Sequence, residues 1–181
     1  MTSNFKKITA AAAAIVCAAS LCGCSDSGYV MTVDGEQIRN GIYLSFMQSS
    51  YSDAKSEITD EKSDNGDTSE VGDIFGYDID GVNASEWIKN DTLDSIKRFV
   101  AVKHLCAEYG IELTTDDLTE INDEVNSIWN DENYYAQYFY KTDTIGAYYD
   151  SIGVGRDSMT EISKYSSLRN KLFTHYYDTD G

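Results

Sequence analysis

Residues 83–113 read NASEWIKNDTLDSIKRFVAVKHLCAEYGIEL, the most regularly patterned stretch of the chain. Asn83 and Glu86 have the spacing of a capping box at a helix start. Gly110 followed by Ile111 is typical of a helix end, where a left-handed glycine precedes an apolar contact. Two adjacent apolar stripes predict a long helix that is buried on most of its girth: Leu93, Ile96, Val100 and Ala107, widened by Phe99, Val102, Cys106 and Tyr109.

Further helices are predicted on the C-terminal side. Thr114 and Asp117 fit a second capping box, and Ser158 and Glu161 fit a third. The apolar spacing places the following residues on the inner faces of these two helices: Leu118, Ile121, Val125, Ile128 and Trp129 in the first, and Ile162, Tyr165, Leu172, Phe173 and Tyr176 in the last. Between them, the aromatic run near 134–139 continues the helix or forms a short break.

On the N-terminal side, residues 30–38 predict a small β-hairpin, with Asp34-Gly35 as its two-residue turn. Asn40 is expected to cap the next helix. The inner face of that helix is read as Tyr43, Phe46, Met47, Ala54 and Ile58. From about 52 to 73 the sequence is polar and acidic, which predicts the end of the helix and a mobile loop. Its aspartates do not have the spacing of a calcium-binding EF-hand loop.

The N-terminus has the layout of an export signal. Lys6 and Lys7 precede an uncharged run over 8–21, which is too short and too alanine-rich for a comfortable membrane span. Leu21-Cys22-Gly23-Cys24 then resembles the bacterial lipobox. We therefore expect residues 1–23 to be removed and Cys24 to carry lipid, with 24–29 as a short tether and 30–181 as the domain. A metal site at Cys22 and Cys24 would need two more ligands, and His104 and His175 are too scattered to supply them.

The charge of the chain limits its partners. Loss of Lys6 and Lys7 with the signal takes the net charge from −17 to −19. Nucleic acid is bound through basic groups that displace counterions, so a nucleic-acid partner is not expected. Anionic headgroups are also repelled, so the expected membrane contact is the N-terminal lipid and not a basic face. No cofactor or metal is predicted, and the oligomeric state is left open.

The order of the motifs resembles one protein family. VDGEQI at 33–38 and CAEYGIELTTDDL at 106–118, after a lipobox, look like the PrsA/SurA group of extracytoplasmic foldase lipoproteins. The resemblance implies a mainly α, helical chaperone-like module with an N-terminal hairpin, placed on the outer face of the bacterial cytoplasmic membrane, which holds unfolded secreted polypeptides. The family commonly adds a parvulin domain, a peptidyl-prolyl cis-trans isomerase, which is not evident here. Lys103-His104-Leu105 is superficially similar to the start of that domain but lies in the middle of the predicted helix.

The chain has 14 tyrosines, several of them clustered. A holding function needs reachable aromatic surface, and a tyrosine ring offers contact area at low entropic cost. The candidate client-binding residues are Tyr134, Tyr135, Tyr138, Phe139, Tyr148 and Tyr149. The alternative is that many of these rings fill the core.

Two other functions stay open at the level of sequence. The chain could be the N-terminal part of an isomerase whose catalytic domain lies beyond residue 181, or a solute-binding or adhesion lipoprotein with a concave pocket. No catalytic residues are predicted for the chain itself.

The Cys24→Ala variant tests the N-terminal assignment. We expect it to lose the acyl mass and to be released from cells, because no other residue can take the thioether lipid. Intact mass and cell fractionation measure both effects. Cys22→Ala is the matched control and should be acylated normally. A wild-type protein without acyl mass, retained equally well as Cys24→Ala, would contradict the assignment.

Overall fold

The computed structural model of the chain describes residues 26, 28–133 and 135–177. The predicted signal, Cys24 and Tyr134 lie outside these residues. The elements, in chain order, are β1 Tyr29–Val33, β2 Glu36–Arg39, α1 Asn40–Asp64, β3 Asp78–Ile79, β4 Val82–Asn83, α2 Ala84–Tyr109, α3 Thr115–Trp129, a π-helix Tyr135–Tyr140, α4 Ile145–Ser151 and α5 Arg156–Tyr177. The predicted mainly α fold with a small N-terminal hairpin is confirmed.

The hairpin has the predicted turn. β1 pairs antiparallel with β2, and Val33 faces Glu36 across the two turn residues. Asp34 and Gly35 have φ values of 48° and 86°, as a tight turn between twisted strands requires. The inner side chains Met31, Val33 and Ile38 are buried against α1 and α2.

Helix α2 begins and ends where the sequence predicts. Asn83 Oδ1 accepts a hydrogen bond from Ser85 N–H at 3.1 Å, which is a simple cap and not the predicted box with Glu86. At the other end Gly110 has φ 67°, and Ile111 N–H donates to Cys106 O at 2.8 Å. The predicted inner positions Ala107 and Tyr109 are exposed, because they lie in the last turn of α2, near the edge of the domain.

The main core lies where α1, α2, α5 and the hairpin meet. Phe46, Phe99 and Tyr165 come from the three helices. The ring centroid of Phe99 lies 5.9 Å from that of Phe46 and 5.2 Å from that of Tyr165. Ile96 and Val100 are fully buried beside them.

A second core corrects the predicted loop at 52–73. Helix α1 continues to Asp64 because Ala54 and Ile58 extend its buried stripe. These two side chains pack in a cluster with Val71, Ile74 and residues of β3 and α2. The irregular segment is therefore residues 65–77, and two of its own side chains hold it against the helix.

The predicted caps of α1 and α5 are wrong. The first turns of these helices are hydrogen-bonded to Gly28 and Asp26, which lie outside the local sequence of the helix starts. Arg39 precedes α1 without a side-chain cap, and Asn40 N–H donates to Gly28 O at 2.9 Å. Helix α5 begins at Arg156, so Ser158 lies inside its first turn and is buried. The Asp26 carboxylate accepts hydrogen bonds from Ser158 Oγ and, at 3.2 Å, from Ser158 N–H.

This cap makes the predicted tether at 24–29 part of the domain, as far as the structure describes it. Asp26 lies against Gly41 and Gly155, and a Cβ on Gly155 would come within 2.5 Å of the Asp26 Cβ. The absence of a side chain at both glycines therefore makes room for the Asp26 carboxylate.

Helices α3 and α5 run antiparallel and are joined at both ends. Lys171 Nζ lies 2.9 Å from Asp117 Oδ2, and the Arg156 guanidinium donates to Asn126 at the other end. The predicted Thr114–Asp117 capping box is confirmed. Ile121 and Val125 are buried, whereas Leu118 and Ile128, predicted on the inner face, are exposed at its edges.

Replacing Gly41 with alanine tests the cap on α5. The new methyl group would overlap the Asp26 carboxylate and the Ser158 side chain, so we expect a loss of about 1–3 kcal/mol in the free energy of unfolding. Gly72→Ala is the matched control, because no atom lies within 4 Å of its added Cβ. Urea denaturation measures both variants. Equal stability of Gly41→Ala and wild type would show that this contact is not tight.

Acid titration tests the junction of α3 with α5. Hydrogen bonds from Lys171 and Thr114 lower the pKa of Asp117 from 3.8 to about 2. Because the folded-state pKa is lowered, the stabilisation is present above pH 3.8 and is lost as the pH falls towards 2. Asp117→Asn should therefore lower Tm at neutral pH, and its difference from wild type should disappear near pH 2. Asp116→Asn controls for charge at the same helix end, and an equal effect there would contradict a specific role of Asp117.

Candidate functional site

The π-helix between α3 and α4 presents three predicted site residues to solvent. Tyr135, Tyr138 and Phe139 are 60%, 59% and 60% exposed, whereas Ala136 is fully buried. Asn133 Oδ1 accepts from Ala136 N–H at 3.1 Å, and Thr142 N–H donates to Ala136 O at 3.0 Å. Only the small alanine faces inward, so the wide turn directs the larger rings outward.

These three rings contact one another, and together with the adjacent exposed Tyr140 we call them the π-helix patch. Tyr135 stacks on Phe139 with ring centroids 5.5 Å apart, and Tyr138 meets Phe139 edge-on at 5.8 Å. The Lys141 ammonium lies 4.7 Å from the centre of the Tyr138 ring. The patch thus combines aromatic faces with the cation of Lys141.

Tyr148 and Tyr149 of α4 lie next to this patch, and Tyr148 contacts both Tyr140 and Tyr149. Tyr148 stacks on Tyr140 with centroids 3.8 Å apart and an interplanar angle of 12°. Both α4 rings are half-buried, and burial together with the neighbouring Tyr140 raises the pKa of each hydroxyl. The structure brings five of the six predicted residues together, and Tyr140 is a member that sequence reasoning missed.

A second aromatic surface lies at the far end of α5. The α5 patch consists of Tyr109, Phe173, Tyr176 and Tyr177, which are 43%, 63%, 49% and 70% exposed. Tyr109 contacts Tyr176 at 5.6 Å, and Phe173 contacts Tyr177 at 4.6 Å between centroids. The hydrogen bond with Tyr109 raises the pKa of Tyr176 to about 12.

The α5 patch corrects the predicted inner face of the last helix. Phe173 and Tyr176 were expected inside, but Leu172 is the last buried residue of α5 among those described. Helix α2 ends at Tyr109, so the final turn of α5 extends past the elements that cover the rest of it. The adjacent tyrosines at 176–177 were the feature of the sequence that could have indicated this exposed patch.

An apolar groove lies between α1, the start of α2 and the 65–77 segment. Its volume is about 270 Å³, and Tyr43, Met47, Tyr51, Phe75 and Ile88 form its apolar lining. Gln48, Ser85 and Lys89 supply the polar atoms at its edge. Pockets for small solutes usually measure roughly 300–1,000 Å³ and have converging polar groups. This groove is slightly smaller than that range and its lining is mostly apolar.

Cys106, Lys103 and His104 of α2 contact neighbouring elements of the fold. Cys106 is buried, its thiol donates to Leu168 O at 3.6 Å, and burial raises its pKa. His104 lies in the C-terminal part of α2, and its Nε2 is 3.9 Å from Glu36 Oε1. The hydrogen bond from Lys103 lowers the pKa of Glu36, so the three residues join the hairpin to α2.

Within residues 26, 28–133 and 135–177, no group of three or more His, Cys, Asp or Glu side chains is placed to hold a metal ion. No helix in this part of the chain is both long and apolar enough to cross a bilayer.

Comparisons of the chain with protein-family models, curated proteins and solved structures found no match. The resemblance to the extracytoplasmic foldases stays a prediction from the motifs at 33–38 and 106–118.

Proposed function

We propose that this protein is a lipid-anchored extracytoplasmic holding protein, which binds unfolded exported polypeptides and assists their folding. The observation that carries the proposal is the exposure of aromatic rings in two separate patches, one on the π-helix and one on α5. The lipobox-like sequence at Cys24 and the resemblance to foldase lipoproteins support an extracytoplasmic location.

The physical basis of holding is reversible burial of apolar surface. An unfolded client exposes apolar side chains, and each one that packs on a tyrosine or phenylalanine face leaves water. The ring contacts at 5.5 and 5.8 Å within the π-helix patch give aromatic faces that already lie together before a client arrives. Tyrosine hydroxyls remain hydrated at the rim of such a contact, so clients of varied sequence are accommodated.

The charge of the domain complements this role. A net charge of −17 for the full chain makes copies repel one another, which opposes aggregation of the exposed rings. Holding requires no proton transfer or covalent step. The residues most similar to a parvulin start, around His104, lie within α2 and bind the hairpin instead. Prolyl isomerase activity of the mature chain would contradict this proposal and favour the isomerase alternative.

Aggregation of a denatured exported protein, followed by light scattering, tests the proposal. We expect Tyr135→Ser/Tyr138→Ser and Phe173→Ser/Tyr177→Ser each to suppress aggregation several-fold less than the wild-type mature chain. Their thermal unfolding should be almost unchanged, since all four rings are at least 59% exposed. Tyr29→Ser removes a 43% exposed tyrosine from outside both patches and is the matched control. Full suppression by both double variants would reject the patches as the client surface.

A further inference from the structure

The attachment point of Cys24 is held firmly by the domain. Asp26 is bonded to Ser158 and enclosed by Gly41 and Gly155, and Gly28 O is bonded to Asn40 N–H at 2.9 Å. Two residues further towards the N-terminus stands Cys24, which an extended chain reaches within about 7 Å. If Cys24 carries lipid, as the proposed function requires, only a two-residue segment separates the lipid from the hydrogen-bonded Asp26, so the domain stays close to the bilayer.

Asp26 lies at the end of the molecule that carries the π-helix patch. Val154 N–H donates to Tyr149 O at 2.9 Å, and Gly155, the next residue, contacts Asp26. Ile145 N–H donates to Asp131 O at 2.9 Å, which joins the start of α4 to the end of α3 and closes the segment that contains the π-helix. Hydrogen bonds and short chain segments thus connect Asp26 with α4 and the π-helix.

The α5 patch lies at the opposite end. Asp26 caps the first turn of α5 through Ser158, and Tyr177 is the last residue of this helix. At 1.5 Å per residue, the helix separates Ser158 from Tyr177 by about 28 Å. A short anchor at Asp26 therefore keeps the start of α5 close to the bilayer, whereas the α5 patch lies about 28 Å away along the helix.

The chemistry of the π-helix patch suits a layer of zwitterionic headgroups. Tyrosine rings prefer the membrane–water interface, where the ring is partly desolvated and the hydroxyl stays wet. Ring faces also attract the quaternary ammonium of a choline headgroup. Residues 131–151 contain four acidic side chains and only Lys141 as a base, so anionic headgroups are disfavoured.

We propose that, in the anchored protein, the π-helix patch lies in the zwitterionic headgroup layer of the membrane and the α5 patch points away from it. This inference rests on the proposed function and divides its two aromatic surfaces. The domain is held in one orientation by the lipid at Cys24 and by the rings of the π-helix. The α5 patch is then the surface that unfolded clients reach.

Depth-dependent fluorescence quenching tests this orientation. The full acylated chain is reconstituted in phosphatidylcholine vesicles that contain brominated acyl chains, with a bimane label on Tyr138→Cys or, as the matched control, on Tyr177→Cys. The parent chain reports background labelling, which should be low because Cys106 is 2% exposed. We expect quenching at position 138 to exceed that at 177 several-fold, and to fall when phosphatidylglycerol replaces phosphatidylcholine.

The possible outcomes separate this inference from the proposed function. Equal quenching at both positions, in protein that is acylated and floats with the vesicles, overturns the orientation but leaves the holding function intact. Loss of quenching at 138 on addition of an unfolded client assigns the π-helix patch to clients and also overturns it. Absence of the acyl mass overturns the anchor, and with it both proposals.

A linker variant tests the role of the firm attachment. Insertion of about 20 Gly/Ser residues between Ser25 and Asp26 adds a flexible span of roughly 25 Å. Quenching at position 138 should then fall towards the value at 177. Unchanged quenching would show that the attachment at Asp26 does not orient the domain.

Discussion

The Phe99 ring in the middle of α2 lies where α1, α5 and the N-terminal hairpin meet. Its contacts with Phe46 and Tyr165, at 5.9 and 5.2 Å, link three helices that are distant in sequence. Burial of a phenylalanine side chain contributes roughly 1.5–3 kcal/mol, and Ile96 and Val100 add similar amounts beside it. The other elements pack around this cluster. Helix α1 contributes Ala54 and Ile58 to the second core, and α5 contacts α3 at both ends.

The parts of the fold that local sequence signals determine could be predicted. The end of α2 depends on Gly110 and Ile111, and the start of α3 depends on Thr114 and Asp117, all within a few residues of the boundary. The length of α1 could not be predicted in this way. Only Ala54 and Ile58 mark its buried face beyond residue 52, and part of the cluster that buries them, Val71 and Ile74, follows later in the chain.

The candidate site likewise has features that the local sequence indicates and features that depend on distant residues. Clustered tyrosines marked the segment that forms the π-helix patch, but the sequence left open whether the rings fill the core. In the structure Ala136 is buried and Tyr135, Tyr138 and Phe139 are exposed. Helical spacing assigned Phe173 and Tyr176 to the interior, but both are exposed. Spacing defines a face of the helix but not how far the neighbouring helices cover it. The cap on α5 was not visible either, because Asp26 and Ser158 are 132 residues apart.

The contact between Asp26 and Ser158 also determines when the domain can finish folding. Asp26 emerges during synthesis or export well before the first turn of α5. The loop that joins them spans 132 residues, and closing it costs chain entropy that the contacts of α5 must offset. Until α5 emerges, Phe46 and Phe99 lack Tyr165, and the growing chain resembles an unfolded polypeptide itself. Non-local closure of this kind slows folding, so folding of the domain should depend on emergence of the whole of α5.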